Sequence, residues 1–327
     1  MAGYRFLYLG LGSVVALVSA LALAGAIYQA AASRLDRERY PPPGRLVAAG
    51  GYRLHVLCSG PEGGGGPTVV MDAGIGECSL GWGLVQPEVA GFARACAYDR
   101  AGLGWSDVAP TPRTSGQMVA DLHALLVNSG VRPPYVLVGH SFGGLNVRLY
   151  AARFPEEVAG MVLVDSAHEE REPRLPLYMR LGLLTAPLGI PRVFAQDVVT
   201  ENPIFDRRSK YHPAYRAVAV GTAYLETARR EWAAVDESWA QARGSEKSLG
   251  DMPLVVLFAK FDDEVFPRLL KLQTELAGRS TAGRLVVVEG SGHHIQHDRP
   301  EVVIDAVREV VEAVRRKSRL PAEVRKP

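Results

Sequence analysis

The first pattern in the chain is an unbroken apolar one. No charged residue occurs from Phe6 to Ser33, and the run to Tyr28 is dominated by Leu, Val and Ala. This exceeds the ~20 residues a helix needs to cross a bilayer and the ~7–15 of a signal-peptide core. It predicts a single transmembrane anchor over residues 1–33. Ala30-Ala31-Ala32 also offers a small-residue cleavage site, so secretion after signal cleavage is the alternative. Residues 34–50 are charged and then carry Pro41-Pro42-Pro43-Gly44, which predicts a stiff linker. From Tyr52 to Leu57 polar and apolar positions alternate, as in a half-buried strand. Thr68–Met71, Ala95–Tyr98, Tyr135–Val138 and Gly160–Val164 are apolar throughout, as strands of a parallel sheet covered on both faces should be. Helical stretches separate them. Thr114–Asn128 opens on a Thr114/Gln117 capping box and stops before Gly130, and Leu145–Phe154 is amphipathic. Strand alternating with helix predicts an α/β, doubly wound, mostly parallel sheet.

The alternation stops after His168. Residues 169–250 carry no evident strand, and the helical pattern is broken at Pro173, Pro176, Pro187, Pro191, Pro203 and Pro213. Leu175–Phe194 is strongly apolar. Ala214–Arg243 reads as one long helix opened by Pro213, with Glu226, Glu231, Asp236 and Glu237 on a solvated face. Strands return at Leu254–Phe258 and Leu285–Val288, and Pro300–Lys317 is a closing helix. The predicted organisation is a core over 51–168 and 251–318, an insertion over 169–250 and a tail at 319–327.

Composition narrows the function classes. A net charge of +2 over 327 residues with no charge block gives no case for a nucleic-acid partner. Cys58, Cys78 and Cys96 are odd in number and lack metal-type spacing, so they are expected as small buried hydrophobes rather than a disulfide framework. The turn Asp99–Ser106 is glycine-bearing but reads as a structured turn, not a phosphate loop.

The chemistry centres on Gly139-His140-Ser141-Phe142-Gly143-Gly144. Gly-x-Ser-x-Gly between a strand and a helix is a nucleophile elbow. Serine there needs a base titrating near neutrality and a carboxylate to orient that base. The chain order serine, acid, histidine is met by Ser141, Asp263 and His293, each after a strand. Asp165 and Asp262 remain alternatives for the acid, and His294 and His297 for the base. His140 is expected to be structural. The histidine group Gly292–His297 lacks a neighbouring carboxylate or cysteine cluster, and no metal is expected. Asp72-Ala73-Gly74-Ile75-Gly76 follows the second core strand, where its glycines can turn amides toward a substrate.

On Val69–Trp82, Tyr98–Ser106, Gly139–Gly144 and the carboxy-terminal motifs, the chain resembles the α/β-hydrolase superfamily, in its esterase, lipase and cofactor-free haloperoxidase group. The likeness covers Tyr52–His168 and Met252–Val314. It implies an eight-stranded sheet, a helical cap at 169–250 that makes an apolar pocket, and no cofactor. It also implies an oxyanion hole from the N–H groups of Phe142 and Ile75, although the chain has Ala73-Gly74 where the group often has His-Gly. The implied activity is hydrolysis of an ester or related acyl bond of a small, apolar substrate through an acyl-serine. Epoxide hydrolase and dehalogenase activities are disfavoured because both use an aspartate nucleophile. The alternatives are a prolyl-aminopeptidase-like amide hydrolase, in which a cap glutamate binds a free amine, and a ligand-binding scaffold without turnover.

Overall fold

The computed structural model describes residues 2–62, 66–170, 175, 177–193, 206–245, 248–260, 266–318 and 320. In chain order the elements are α1 (Ala2–Arg39), β1 (Arg45–Ala49), β2 (Tyr52–Ser59), β3 (Thr68–Asp72), α2 (Gln86–Val89), β4 (Ala95–Tyr98), α3 (Ser115–Ser129), β5 (Tyr135–His140), α4 (Phe142–Arg153) and β6 (Val158–Val164). The insertion follows with α5 (Leu177–Thr185), a 3-10 turn Ala186–Leu188, α6 (His212–Ala219), α7 (Thr222–Ala233) and α8 (Val235–Arg243). The core resumes with β7 (Leu254–Ala259), α9 (Phe266–Gly278), β8 (Gly283–Val288), α10 (Ile295–Asp298) and α11 (Pro300–Arg316).

The eight strands form one sheet in the order β1-β2-β4-β3-β5-β6-β7-β8. β2 is antiparallel to both its neighbours, and β3 through β8 are parallel. The central parallel strands are predominantly apolar on both faces because each face has its own core. On β5, Tyr135 and Leu137 enter one apolar layer with α3 and α4, while Val136 and Val138 enter the other with α11. α3 is capped as expected: the Thr114 side chain accepts from the Gln117 N–H, and Gly130 closes the helix with φ 72°. All parallel strands end on the same edge, where loops from different parts of the chain meet.

Four expectations change. The stretch 34–50 is not a free linker: α1 runs unbroken to Arg39, and Arg45–Ala49 is the edge strand β1. The interruption is confined to 40–44, around the three prolines 41–43. The expected long helix 214–243 is three helices. Gly221, extended at φ −69°, ψ 144°, separates α6 from α7; no proline or glycine marks the second break at Ala234. Glu231 is not on a solvated face but wholly buried. Finally, Cys58 and Cys96 are bridged. They lie directly opposite each other on antiparallel β2 and β4, a proximity set by strand register and invisible in residue spacing. Cys78 is free and buried, as expected.

Candidate active site

β5 delivers Ser141 to the carboxyl edge of the sheet. Its backbone has φ 50°, ψ −116°, a region non-glycine residues avoid and that persists only where the surroundings enforce it. The enforcement is visible. The Ser141 N–H donates to the Val164 carbonyl at 3.1 Å, and its carbonyl accepts from Gly144 and Ala167 at 3.0 and 2.9 Å. The turn also needs glycine for space. A Cβ at Gly139 would come within 2.6 Å of the Gly143 oxygen, and one at Gly143 within 2.3 Å of the Asp72 oxygen. α4 begins immediately after, so the Phe142 N–H is an orphan donor of its first turn.

His293, in the loop between β8 and α10, reaches Ser141: Nε2 lies 3.0 Å from Oγ. Its Nδ1 lies 2.5 Å from Oδ2 of Asp165. Asp165 directly follows β6 with φ 42°, and its other oxygen accepts from the Ala259 N–H at 3.1 Å. The carboxylate found at the histidine is thus Asp165, which the spacing held only as an alternative. Asp263 and Asp262 lie outside the described residues. The Asp165 side chain is 3% exposed and that of His293 37%, so the acid is shielded while the base opens toward the site. Asp165 is in position because β5 and β6 are adjacent parallel strands with His140 opposite Val164.

Ile75 and Phe142 fall in one apolar cluster with Leu145 and Trp239, and the rings of Phe142 and Trp239 stack at 5.8 Å. The Ile75 loop is braced from beneath by Arg100. Its Nε and Nη2 donate to Glu231, Nη1 to Asp72 and the Ala73 carbonyl, and Nη2 also to the Gly74 carbonyl, all within 3.0 Å. Glu231 in turn accepts from the Gly76 N–H at 2.7 Å. The carbonyls of residues 73 and 74 are therefore committed to a buried cation that is ion-paired with Asp72 and Glu231. The opposing carboxylates outweigh the cost of burying Arg100 and push its already high pKa further up. Neither Arg100 nor Glu231 was expected here; the only trace in the sequence is an Asp-Arg pair directly after an apolar strand. Glu231, so engaged, is not free to take a substrate amine.

The remaining histidines form a second layer. His294 Nε2 lies 3.3 Å from Glu77, and His140 Nδ1 lies 3.4 Å from the same carboxylate. His140 Nε2 lies 3.1 Å from the His293 carbonyl oxygen, which fixes that nitrogen as a donor. Burial opposes charge on Glu77, but His140 and then His294 overcome it and hold the carboxyl well below its usual range. Burial pushes His140 down and brings His297 to about 4. Glu77, His140 and His294 present ligand-type atoms within 4.8 Å of one another, and among the described residues this is the set that could hold a metal ion. The fold brings in a carboxylate that is distant in sequence from these histidines.

Comparison with known proteins agrees with this architecture. Residues 56–306 match the Alpha/beta hydrolase family. The uncharacterized protein YqjL of Bacillus subtilis is 27% identical over 252 residues, covering 76% of this chain and 85% of its own. A probable transporter of Hormonema carpetanum, efuK, is 28% identical over 311 residues; the match takes in 82% of this chain but 42% of that protein. Among solved structures, the enol-lactonase of Burkholderia xenovorans superimposes with a TM-score of 0.63 at 21% identity, covering 82% of this chain and all of the enzyme.

Proposed function

The chain belongs to the alpha/beta hydrolase family, and from that premise we propose that it is a serine hydrolase cleaving an ester or related acyl bond. The observation that carries this reading is the line from Ser141 Oγ through His293 to Asp165, at 3.0 and 2.5 Å. Ser141 attacks the substrate carbonyl carbon as His293 Nε2 takes its proton. Asp165 accepts the Nδ1 hydrogen, fixing the tautomer and stabilising the imidazolium. The N–H groups of Phe142 and Ile75 receive the oxyanion. The protonated His293 gives its proton to the leaving alcohol, and water then releases the acyl group by the same steps in reverse. The apolar lining from Ile75, Phe142 and Trp239 favours a small, apolar acyl group.

A fluorophosphonate probe and a series of p-nitrophenyl esters of graded chain length test the proposal. The wild-type protein should be labelled and turn over the esters. Ser141→Ala should lose labelling and lower kcat by ~10⁴ to 10⁶. Retention of a tenth of the activity by a folded Ser141→Ala protein would refute it.

We further propose that α1 is an uncleaved anchor. Between Gly10 and Tyr28 its exposed positions carry no charge and are mostly apolar, such as Leu11, Leu17 and Leu21 at 61–64%. The Cys58–Cys96 bridge supports a catalytic domain facing an oxidising compartment, because such bonds persist there and not in a reducing cytoplasm.

A further inference from the structure

α1 does not merely precede the catalytic unit; its last third is packed into the cap. It contacts the 3-10 turn, α6 and α7. Gly25 lies against Leu188, where a Cβ would come within 2.4 Å of the Leu188 oxygen. Gln29, 1% exposed, donates to the Val220 carbonyl at 2.7 Å and accepts from Arg192 Nε at 2.8 Å. Arg192 also reaches Ser33 and Asp36. These contacts set the height of the cap on the helix. Arg192 stands level with Gln29 to Asp36, and Leu188 level with Gly25.

That height can be compared with a bilayer. The charge-free run Phe6–Ser33 is about 42 Å long as a helix, which matches the ~40–45 Å of a bilayer including its headgroups. The hydrocarbon boundary then falls some four or five residues inside Arg34, near Gln29. Leu188, at the level of Gly25, lies inside it. Around Leu188 the cap presents a stripe of bare aliphatic side chains. Leu177, Leu181, Leu184 and Leu188 are 70, 54, 67 and 38% exposed, with Ile190 and Val193 beyond them at 39 and 56%. Leu177, Leu181 and Leu184 fall on one face of α5, and Leu188 follows in the 3-10 turn. Arg180, exposed beside the stripe, can extend its guanidinium to a phosphate layer. A water-exposed face of this kind would be an aggregation liability, and its Leu188 end rests on the anchor at the level of Gly25.

We propose that this face of the cap, α5 and the turn after it, is immersed in the lipid bilayer beside α1, so that the cap is a monotopic membrane-docking element. The proposal rests on the anchor reading of α1. A structural path links the face to the site: α5 and the turn pack on α7, and α7 carries the Glu231 that holds the Gly76 N–H. Lipid contact thus bears on the helix that braces the Ile75 loop.

The test uses the full chain in phosphatidylcholine nanodiscs. The three native cysteines are bridged or buried, so Leu17→Cys, Leu181→Cys, Leu184→Cys and Val127→Cys each take a single environment-sensitive fluorophore. Lipids carrying a nitroxide on the acyl chain are then added. Labels at 17, 181 and 184 should shift to the blue and lose emission by on the order of twofold, as expected of a face buried ~5–10 Å into the boundary. The label at Val127, exposed on α3, should do neither. Quenching at 17 but not at 181 and 184 would overturn the proposal and leave the anchor standing. A blue shift at 181 and 184 without quenching would also overturn it, by showing that protein covers the face. An unquenched label at 17 would refute the anchor itself.

Discussion

Replacing Asp165 by Asn separates the arrangement found here from the one the sequence spacing favours. The exchange keeps size and shape, and the side-chain oxygen can still accept from the Ala259 N–H. It changes the atom facing His293. An amide NH₂ at 2.5–3 Å from Nδ1 cannot accept that hydrogen, so the ring moves its proton to Nε2, the nitrogen 3.0 Å from Ser141 Oγ. In that tautomer His293 cannot take the serine proton. Loss of the orienting carboxylate costs about 10⁴ in kcat, or about 5.5 kcal/mol of transition-state stabilisation. KM should change little, since Asp165 is buried behind His293 and away from an acyl group bound over Ser141. The assay is steady-state hydrolysis of a p-nitrophenyl ester, beside Asp263→Asn and with circular dichroism to establish folding. If Asp165→Asn keeps more than a tenth of the wild-type kcat while Asp263→Asn loses several powers of ten, Asp165 is not the acid.

Glu231→Ala should strip Arg100 of two hydrogen bonds and leave a buried charge half compensated, lowering stability by about 3–5 kcal/mol; thermal denaturation reads this, and kcat should fall as the Ile75 loop loosens. His297 is depressed to about 4 by burial, so below pH 6.5 the unfolded chain takes up a proton that the folded one refuses. Stability should therefore decline as pH falls from 6.5 and level off near 4, by about 3 kcal/mol at most; His297→Asn should flatten that part of the profile, and an unchanged slope would refute the assignment. Alkylation of the denatured protein should modify one cysteine without reductant and three with it.

The sheet was legible because burial on both faces writes itself as continuous apolar runs, and the elbow because only glycine fits around Ser141. The third member of the line was less so. Asp165 and Asp263 both follow strands, and the choice depends on which loop reaches Nδ1, a matter of three-dimensional reach that spacing does not encode. The brace under the Ile75 loop was hidden for a related reason. Glu231 sits in a helix rich in charged residues, and its burial follows from meeting Arg100, 131 positions away. The cystine was missed because the count of cysteines is odd, whereas pairing follows the register of β2 on β4.

The Gln29 contact bears on maturation of the chain. The small-residue sequence Ala30-Ala31-Ala32 offers a peptidase a plausible cut, but everything upstream of that cut would leave with Gln29. The shortened protein would expose the Val220 carbonyl and take from Arg192 its Gln29 acceptor, keeping only Ser33 and Asp36. Processing would therefore unfasten the cap rather than release an independent enzyme. For a soluble preparation, the better starting point is a chain that begins upstream of Gly25 with its outward leucines and valines made polar, not one trimmed at the end of the apolar run.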